Sequence, residues 1–246
     1  MKIIKKVFLV LLITVLLITI GFSVWAYSAA KPMQAALDSV KTAEIVKINN
    51  QSVLVFSPTQ ADPLSGVIFY PGGRVDYHAY APFAEALSKK GYLVVIPKMP
   101  FNLAVFDYKA AKPIIEQFSS IGHWVIGGHS LGGSMAAHYL FENQDEIDGL
   151  LLVASYPAAG DDLTNYSGSV TSVSASLDGL ATADDIAASK LLLPSSTSFV
   201  LIKGGNHAQF GWYGNQAGDN TAIISREDQQ AQLIQATLDL LDAIGK

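Results

Sequence analysis

The sequence predicts an α/β protein, with a mostly parallel central sheet flanked by helices and one transmembrane helix ahead of it. Three observations carry this reading. Short apolar runs alternate with helical patterns from residue 66 to the end. Several runs are apolar on both faces, which is how strands buried inside a parallel sheet read. Residues 7–30 hold no charge at all, and Lys2, Lys5 and Lys6 precede them.

The elements follow in order. Residues 7–26 are a run of Leu, Ile, Val, Phe and small or hydroxyl residues, and twenty helical residues span about 30 Å of hydrocarbon. Trp25 and Tyr27 fall where an interfacial aromatic belt sits. The run is longer than the apolar core of a secretory signal peptide, which favours an uncleaved anchor, but Ser28-Ala29-Ala30 also offers a small-x-small cleavage site. The lysines stay inside in both cases. The chain therefore reads as 1–30 anchor or signal peptide, 31–43 tether with helical character, and 44–246 one domain. That domain is expected outside the cytoplasm, on the cell membrane through a single pass, or secreted if cut near Ala30. Residues 44–48 and 52–56 form a β-hairpin around Asn49-Asn50-Gln51. Strands are expected at 66–70, 92–96, 123–126, 150–154, 170–175 and 198–202. Helices are expected at 80–89, 106–118, 131–141 and 226–244. Right-handed crossovers between parallel strands place ligands beyond the strands' carboxyl ends, so chemistry is sought just after each run.

Composition excludes several classes. The chain has 246 residues, of which 50% are hydrophobic and 15% charged, so disorder is not its overall state. Residues 31–246 keep 13 of the 16 basic residues and all 21 acidic ones, a net charge of −8. No basic stripe exists beyond the first six residues, so nucleic acid is not an expected partner. The absence of cysteine removes disulfides, thiolate metal sites and cysteine nucleophiles. No metal-ligand spacing, P-loop or dinucleotide fingerprint is present, so no cofactor and no metal are expected.

Residues 124–134 read Trp-Val-Ile-Gly-Gly-His-Ser-Leu-Gly-Gly-Ser and contain Gly128-His129-Ser130-Leu131-Gly132, a G-x-S-x-G match. A buried strand precedes it and a helix with Met135, Tyr139 and Leu140 follows. In that strand–turn–helix context a sharp turn lifts a serine hydroxyl above the sheet. These residues resemble the nucleophile elbow of the α/β-hydrolase fold. Tyr70-Pro-Gly-Gly-Arg-Val-Asp-Tyr77 and Gly204-Gly-Asn-His-Ala-Gln-Phe-Gly211 are similar to those of a compact bacterial subgroup, the "family 5" α/β hydrolases. The resemblance covers about residues 45–246 and leaves the anchor outside. It implies a serine hydrolase, often an esterase, acting on a small-molecule ester.

That fold orders its residues Ser, then Asp or Glu, then His. Of the five histidines, His78, His123 and His129 precede Ser130, and His138 lies two turns into the following helix. His207 follows the last apolar strand in a glycine-rich segment and is the expected base. The acid lies between Ser130 and His207. Asp178 follows the strand at 170–175, whereas Asp161 and Asp162 follow the preceding one. The resemblance favours Asp178, because the family places its acid after the penultimate strand. For the oxyanion, one backbone N–H is expected from Leu131 and the other from the turn Pro71-Gly72-Gly73-Arg74, at Gly73 with Arg74 as the alternative. Asp76, Tyr77, His78, Tyr80, Met99, Phe101, Asn102, Phe210, Trp212 and Tyr213 either line the mouth or pack beneath it. Many hydrolases of this fold insert a helical lid after the strand that follows the nucleophile helix. Here residues 155–168 allow a loop or one short helix, so no large lid is expected. Amide, thioester or cell-wall acyl cleavage, or a non-catalytic binding role on the same fold, are the competing readings.

Overall fold

A computed structural model describes residues 2–59, 63 and 65–245; Met1, residues 60–62, Leu64 and Lys246 lie outside the described residues. The expected apolar runs become eight strands: β1 (Glu44–Ile48), β2 (Gln51–Phe56), β3 (Ser65–Tyr70), β4 (Leu93–Pro97), β5 (His123–His129), β6 (Gly149–Val153), β7 (Ser169–Ala175) and β8 (Ser198–Ile202). They form one sheet in the order β1-β2-β4-β3-β5-β6-β7-β8. The β1–β2 and β2–β4 pairs are antiparallel, and every pair from β4 to β8 is parallel. The β3–β4 and β3–β5 pairings put the first parallel strand at the middle of the sheet, so the chain reverses direction of winding there. Loops after β3 and β5 meet at that point, which is where an open α/β sheet makes its crevice.

The sheet separates two apolar layers. Val67 and Phe69 point to one face and Ile68 and Tyr70 to the other; Leu151 and Val153 alternate with Leu150 and Leu152 in the same way. The period of two in a strand sends neighbours to opposite faces, and here both faces are covered. One is covered by α3 (Ala81–Ser88) and α7 (Arg226–Ile244), the other by α4 (Ala111–Gln117) and α5 (Leu131–Glu142). A short α6 (Ala183–Ser189) follows β7. Residues 154–168 between β6 and β7 contain no helix, so this connection forms no helical lid.

One expected helix is much shorter than its apolar pattern. Residues 100–110 form three separate 3₁₀ turns, and only Ala111–Gln117 is α-helical. Pro113 explains this. It fits the first turn of a helix, where an N–H has no partner, but inside a helix starting at residue 106 it would remove a hydrogen bond and clash with the preceding turn.

At the N-terminus, α1 (Lys2–Tyr27) is a 26-residue helix, and Ile3–Tyr27 is long and apolar enough to cross a membrane or to be a signal sequence. Residues 30–43 pack against the domain. Ala30 pairs with Val75 and Pro32 with Tyr213 as isolated β-bridges. The helix α2 (Gln34–Val40) buries Ala36, and Ser39 Oγ donates to Glu85 Oε2 of α3 at 2.5 Å.

Candidate active site

β5 ends at His129 and α5 begins at Leu131, so Ser130 forms the whole turn between them. Its backbone sits at φ 52°, ψ −125°, a region that residues with a Cβ rarely adopt. Neighbouring backbone holds it there. Ser130 N–H donates to Val153 O at 2.9 Å. The first turn of α5 lies directly against the end of β3: a Cβ on Gly132 would overlap Tyr70 O and Pro71 O, and a Cβ on Gly128 would overlap Gly132 and Tyr70 O. Glycine at both positions is what allows the turn to close, and Ser130 remains partly exposed at its tip.

The structure brings His207 and Asp178 together. His207 Nδ1–H donates to Asp178 Oδ2 at 2.8 Å and Oδ1 at 3.1 Å. Both residues are buried, His207 to 1% exposure. Asp178 is fixed from the other side, because Leu180 N–H and Ala181 N–H each donate to its Oδ1 at 2.8 Å. His207 Nε2 is buried and makes no hydrogen bond among the described residues. The ring lies 4.5 Å, centre to centre, from that of His129, the residue before Ser130. The other two acids are elsewhere. Asp161 Oδ1 accepts from His138 Nδ1 at 2.8 Å, and Asp162 is exposed and caps Thr164 N–H at 2.9 Å.

The turn after β3 separates the two oxyanion candidates. Gly72 N–H donates to Tyr80 Oη at 3.0 Å and Arg74 N–H to Asn102 O at 2.8 Å, so both are occupied. Gly73 N–H has no acceptor among the described residues. Leu131 N–H opens α5 and has no acceptor within it. The two residues are neighbours: a Cβ on Gly73 would stand 3.1 Å from Leu131 Cδ2. Beside them lies a cleft of about 290 Å³ lined by Ala30, Gly73, Arg74, Val75, Tyr213 and Gln216.

Of the residues expected either to line the mouth or to pack beneath it, most pack. Tyr80, Phe210 and Tyr213 are fully buried and Met99 nearly so, while Phe101 and Trp212 stay partly exposed. Asp76 Oδ1 accepts from His78 N–H at 3.0 Å and contacts His78 Nδ1 at 2.6 Å, capping the 3₁₀ turn Tyr77–Tyr80. Tyr80 Oη is hydrogen-bonded to His129 Nδ1 at 2.9 Å. Burial pushes the Tyr80 hydroxyl above its ordinary range. Burial, and then the neighbouring His207, hold the His129 imidazole well below its ordinary value. Among the described residues, no group of three or more His, Asp or Glu is placed to hold a metal ion.

Sequence reasoning missed Asp219. Its Oδ1 accepts from Gly179 N–H (3.1 Å), His207 N–H (3.2 Å) and Asn220 N–H (2.9 Å), and its Oδ2 from Ala208 N–H (2.9 Å). One carboxylate thus ties the backbone after Asp178 to the backbone of His207. The only signal in the sequence was an acidic residue after glycine in Gln216-Ala-Gly-Asp-Asn220, which also reads as an ordinary turn.

A family model described as the alpha/beta hydrolase family matches residues 66–231. No relative is found among curated protein sequences. Solved structures with a similar fold include a thermophilic esterase from the Planctomycetes species Thermogutta terrifontis, 14% identical, with a TM-score of 0.61 over 83% of this chain and 94% of that one. A putative dienelactone hydrolase from Klebsiella pneumoniae is 14% identical, with a TM-score of 0.63 over 83% and 98%. An esterase domain from a Rhodothermus marinus protein is 13% identical, with a TM-score of 0.60 over 81% and 97%. At these identities the likeness is one of fold.

Two outcomes follow from the site's polar contacts. Asp219→Ala leaves four backbone donors without their acceptor and lowers stability by about 2 kcal/mol, since each net hydrogen bond is worth about 0.5–1.5 kcal/mol and water replaces part of the loss. Asp219→Asn, which keeps one acceptor oxygen, loses about half as much. Thermal unfolding of the detergent-solubilised chain measures both, and equal midpoints in all three proteins would contradict the clip. His129 gives a pH dependence. Its depressed value in the fold means that below about 6.5 the unfolded chain takes up a proton that the folded chain refuses. Stability contributed by the neutral ring is therefore complete above about 6.5 and falls with pH down to the folded value, by up to about 1.4 kcal/mol per pH unit. Denaturant titrations at descending pH should show a shallower fall in His129→Gln than in the parent. Identical slopes would rule out His129 as the source.

Proposed function

The chain belongs to the alpha/beta hydrolase family, and from that premise we propose that it is a serine hydrolase of small carboxylic esters, acting through Ser130, His207 and Asp178. The observation that carries this is the buried His207–Asp178 pair, which holds an imidazole by Nδ1 and leaves Nε2 unbonded in a ring 4.5 Å, centre to centre, from that of His129, the residue before the strained turn at Ser130. A serine hydroxyl becomes nucleophilic when such a nitrogen accepts its proton. Ser130 Oγ attacks the ester carbonyl carbon as its proton passes to His207 Nε2. Asp178 keeps Nδ1 protonated and stabilises the charged ring. The carbonyl oxygen becomes an oxyanion between the N–H groups of Gly73 and Leu131, and the positive end of α5 adds to their effect. Collapse expels the alcohol, which takes the proton from Nε2 and leaves Ser130 acylated. Water, deprotonated by the same nitrogen, then releases the acid.

The charge pattern supports an extracytoplasmic site for this chemistry. Lys2, Lys5 and Lys6 lie before the apolar helix and are retained inside, so the helix delivers residues 31–246 to the other face. We read the helix as an uncleaved anchor.

A fluorophosphonate probe tests the mechanism. It should label the parent and not Ser130→Ala. Ser130→Ala and His207→Ala should each remove nearly all turnover of a p-nitrophenyl ester, and the double variant should be little worse. Asp178→Asn should lower kcat about 10⁴-fold by disturbing the tautomer. A folded protein that escapes the probe would favour a binding role. Acyl-chain length tests the substrate. With no helical lid in residues 154–168, and with Tyr80, Phe210 and Tyr213 inside the core, little apolar surface remains for a long chain. A methylene left in water gains none of the ~0.8 kcal/mol it would gain on burial. On monomeric p-nitrophenyl esters kcat/KM should be highest for short acyl groups; a steady rise with chain length would refute the open site.

A further inference from the structure

The end of α1 is fastened to the loops that build the site. Arg74, next to Gly73, donates from Nε to Trp25 O at 3.0 Å and from Nη2 to Ser28 Oγ at 2.9 Å and Ser28 O at 3.3 Å. Its guanidinium carbon stands 4.4 Å above the Trp25 ring. Asn102 Nδ2 donates to Ala26 O at 3.2 Å. These bonds satisfy carbonyls at the C-terminus of α1, which no residue within the helix can reach.

The loop after β4 goes further along the same helix. The Phe101 ring lies 5.5 Å from that of Phe22 and 5.8 Å from that of Tyr27, and the Phe106 ring lies 6.1 Å from that of Phe22. Residues 99–106 read Met-Pro-Phe-Asn-Leu-Ala-Val-Phe, without a charge, between Lys98 and Asp107. Val105 is 51% and Phe106 53% exposed. Phe101 and Asn102 both have positive φ, 54° and 55°, a costly conformation for a phenylalanine that serves no step of the chemistry above. A water-facing loop gains nothing from this arrangement.

Helical geometry gives its depth. If residues 7–26 cross the hydrocarbon layer, Phe22 lies about 6 Å inside the outer boundary, four residues at 1.5 Å each. Phe101 and Phe106 stand beside it. That is the depth, about 5–10 Å, at which apolar faces of interfacial segments settle among headgroups and first methylenes. We infer that the loop Pro100–Phe106 is a second membrane contact, whose partner is the lipid of the outer leaflet. With the end of α1 it holds the domain flush against the bilayer, so the Gly73–Ser130 opening sits at the lipid surface and does not swing on a tether. Trp25 and Tyr27 complete the aromatic belt around it. The inference rests on the anchored reading given under the proposed function.

The chain has no cysteine of its own, so single labels are clean. A polarity-sensitive fluorophore is attached to Val105→Cys, to Val15→Cys within α1, and to exposed Gln144→Cys at the opposite end of the sheet. Each full-length protein is reconstituted into phosphatidylcholine–phosphatidylglycerol vesicles. Nitroxide-bearing lipid and aqueous iodide serve as the competing quenchers. The label at 105 should be quenched by the shallow nitroxide and have an iodide quenching constant about fivefold below that at 144, as a site within the headgroup region requires. If 15 is quenched by nitroxide while 105 behaves like 144, the anchor stands and the loop contact is overturned. If 105 is shielded from both quenchers, protein and not lipid covers it, and the inference fails. If 15 itself is open to iodide, the anchored reading fails and takes this one with it.

Discussion

The site depends on backbone touching backbone where the first turn of α5 meets the end of β3. The contact is too close for any Cβ at Gly132 or Gly128. It forces Ser130 into its positive-φ turn, and it brings Leu131 beside Gly73. Parallel strands β3 and β5 are neighbours, with Tyr70 opposite Gly128. The turn after one strand and the helix after the other are therefore held in register by the sheet itself. Gly73 and Leu131, from distant parts of the chain, are thereby held as neighbours by paired backbone.

Around this contact, the difficulty is to keep polar groups inside an apolar core. Asp178 is acceptable because two backbone N–H groups and His207 all donate to it. Asp219 receives four more N–H groups from the same two loops. Gln229 of α7 adds a further link, accepting from Asn206 N–H at 3.0 Å and donating to Asn206 O at 2.7 Å. Loops carry many unpaired backbone groups, and a few long or acidic side chains pair them here. His207 is thus positioned from both sides of its own backbone as well as at its ring.

The strands were legible because burial on both faces leaves continuous apolar runs, and all six predicted after the hairpin lie within two residues of their true ends or overlap them fully, apart from the polar extension of β5 through Gly127-Gly128-His129. Ser130 and His207 were marked by chain order and by position after strands, while Asp178 was singled out from Asp161 and Asp162 by the family resemblance. Elsewhere local pattern misled. The apolar spacing at 106–118 suited a helix, but Pro113 confined it. For Tyr80, Phe210 and Tyr213 local pattern left lining and packing both open, because large rings near a crevice also fill the space beneath it; their burial decides for packing. Asp219 lies 41 residues after Asp178 and joins it only through folded backbone, so no spacing could announce it. The same holds for Arg74, whose bonds to Trp25 and Ser28 join the turn after β3 to the end of α1.

The Ala30–Val75 bridge makes the segment after α1 part of the turn that follows β3. Ala30 N–H donates to Arg74 O at 2.8 Å, and Asp76 N–H donates to Ala30 O at 3.0 Å. A chain beginning at residue 31 would leave Arg74 O and Asp76 N–H, on either side of Val75, without these partners. The turn that carries Gly73 would then lose one of its clamps, so the shape of the crevice is coupled to whether the residues before 31 are retained.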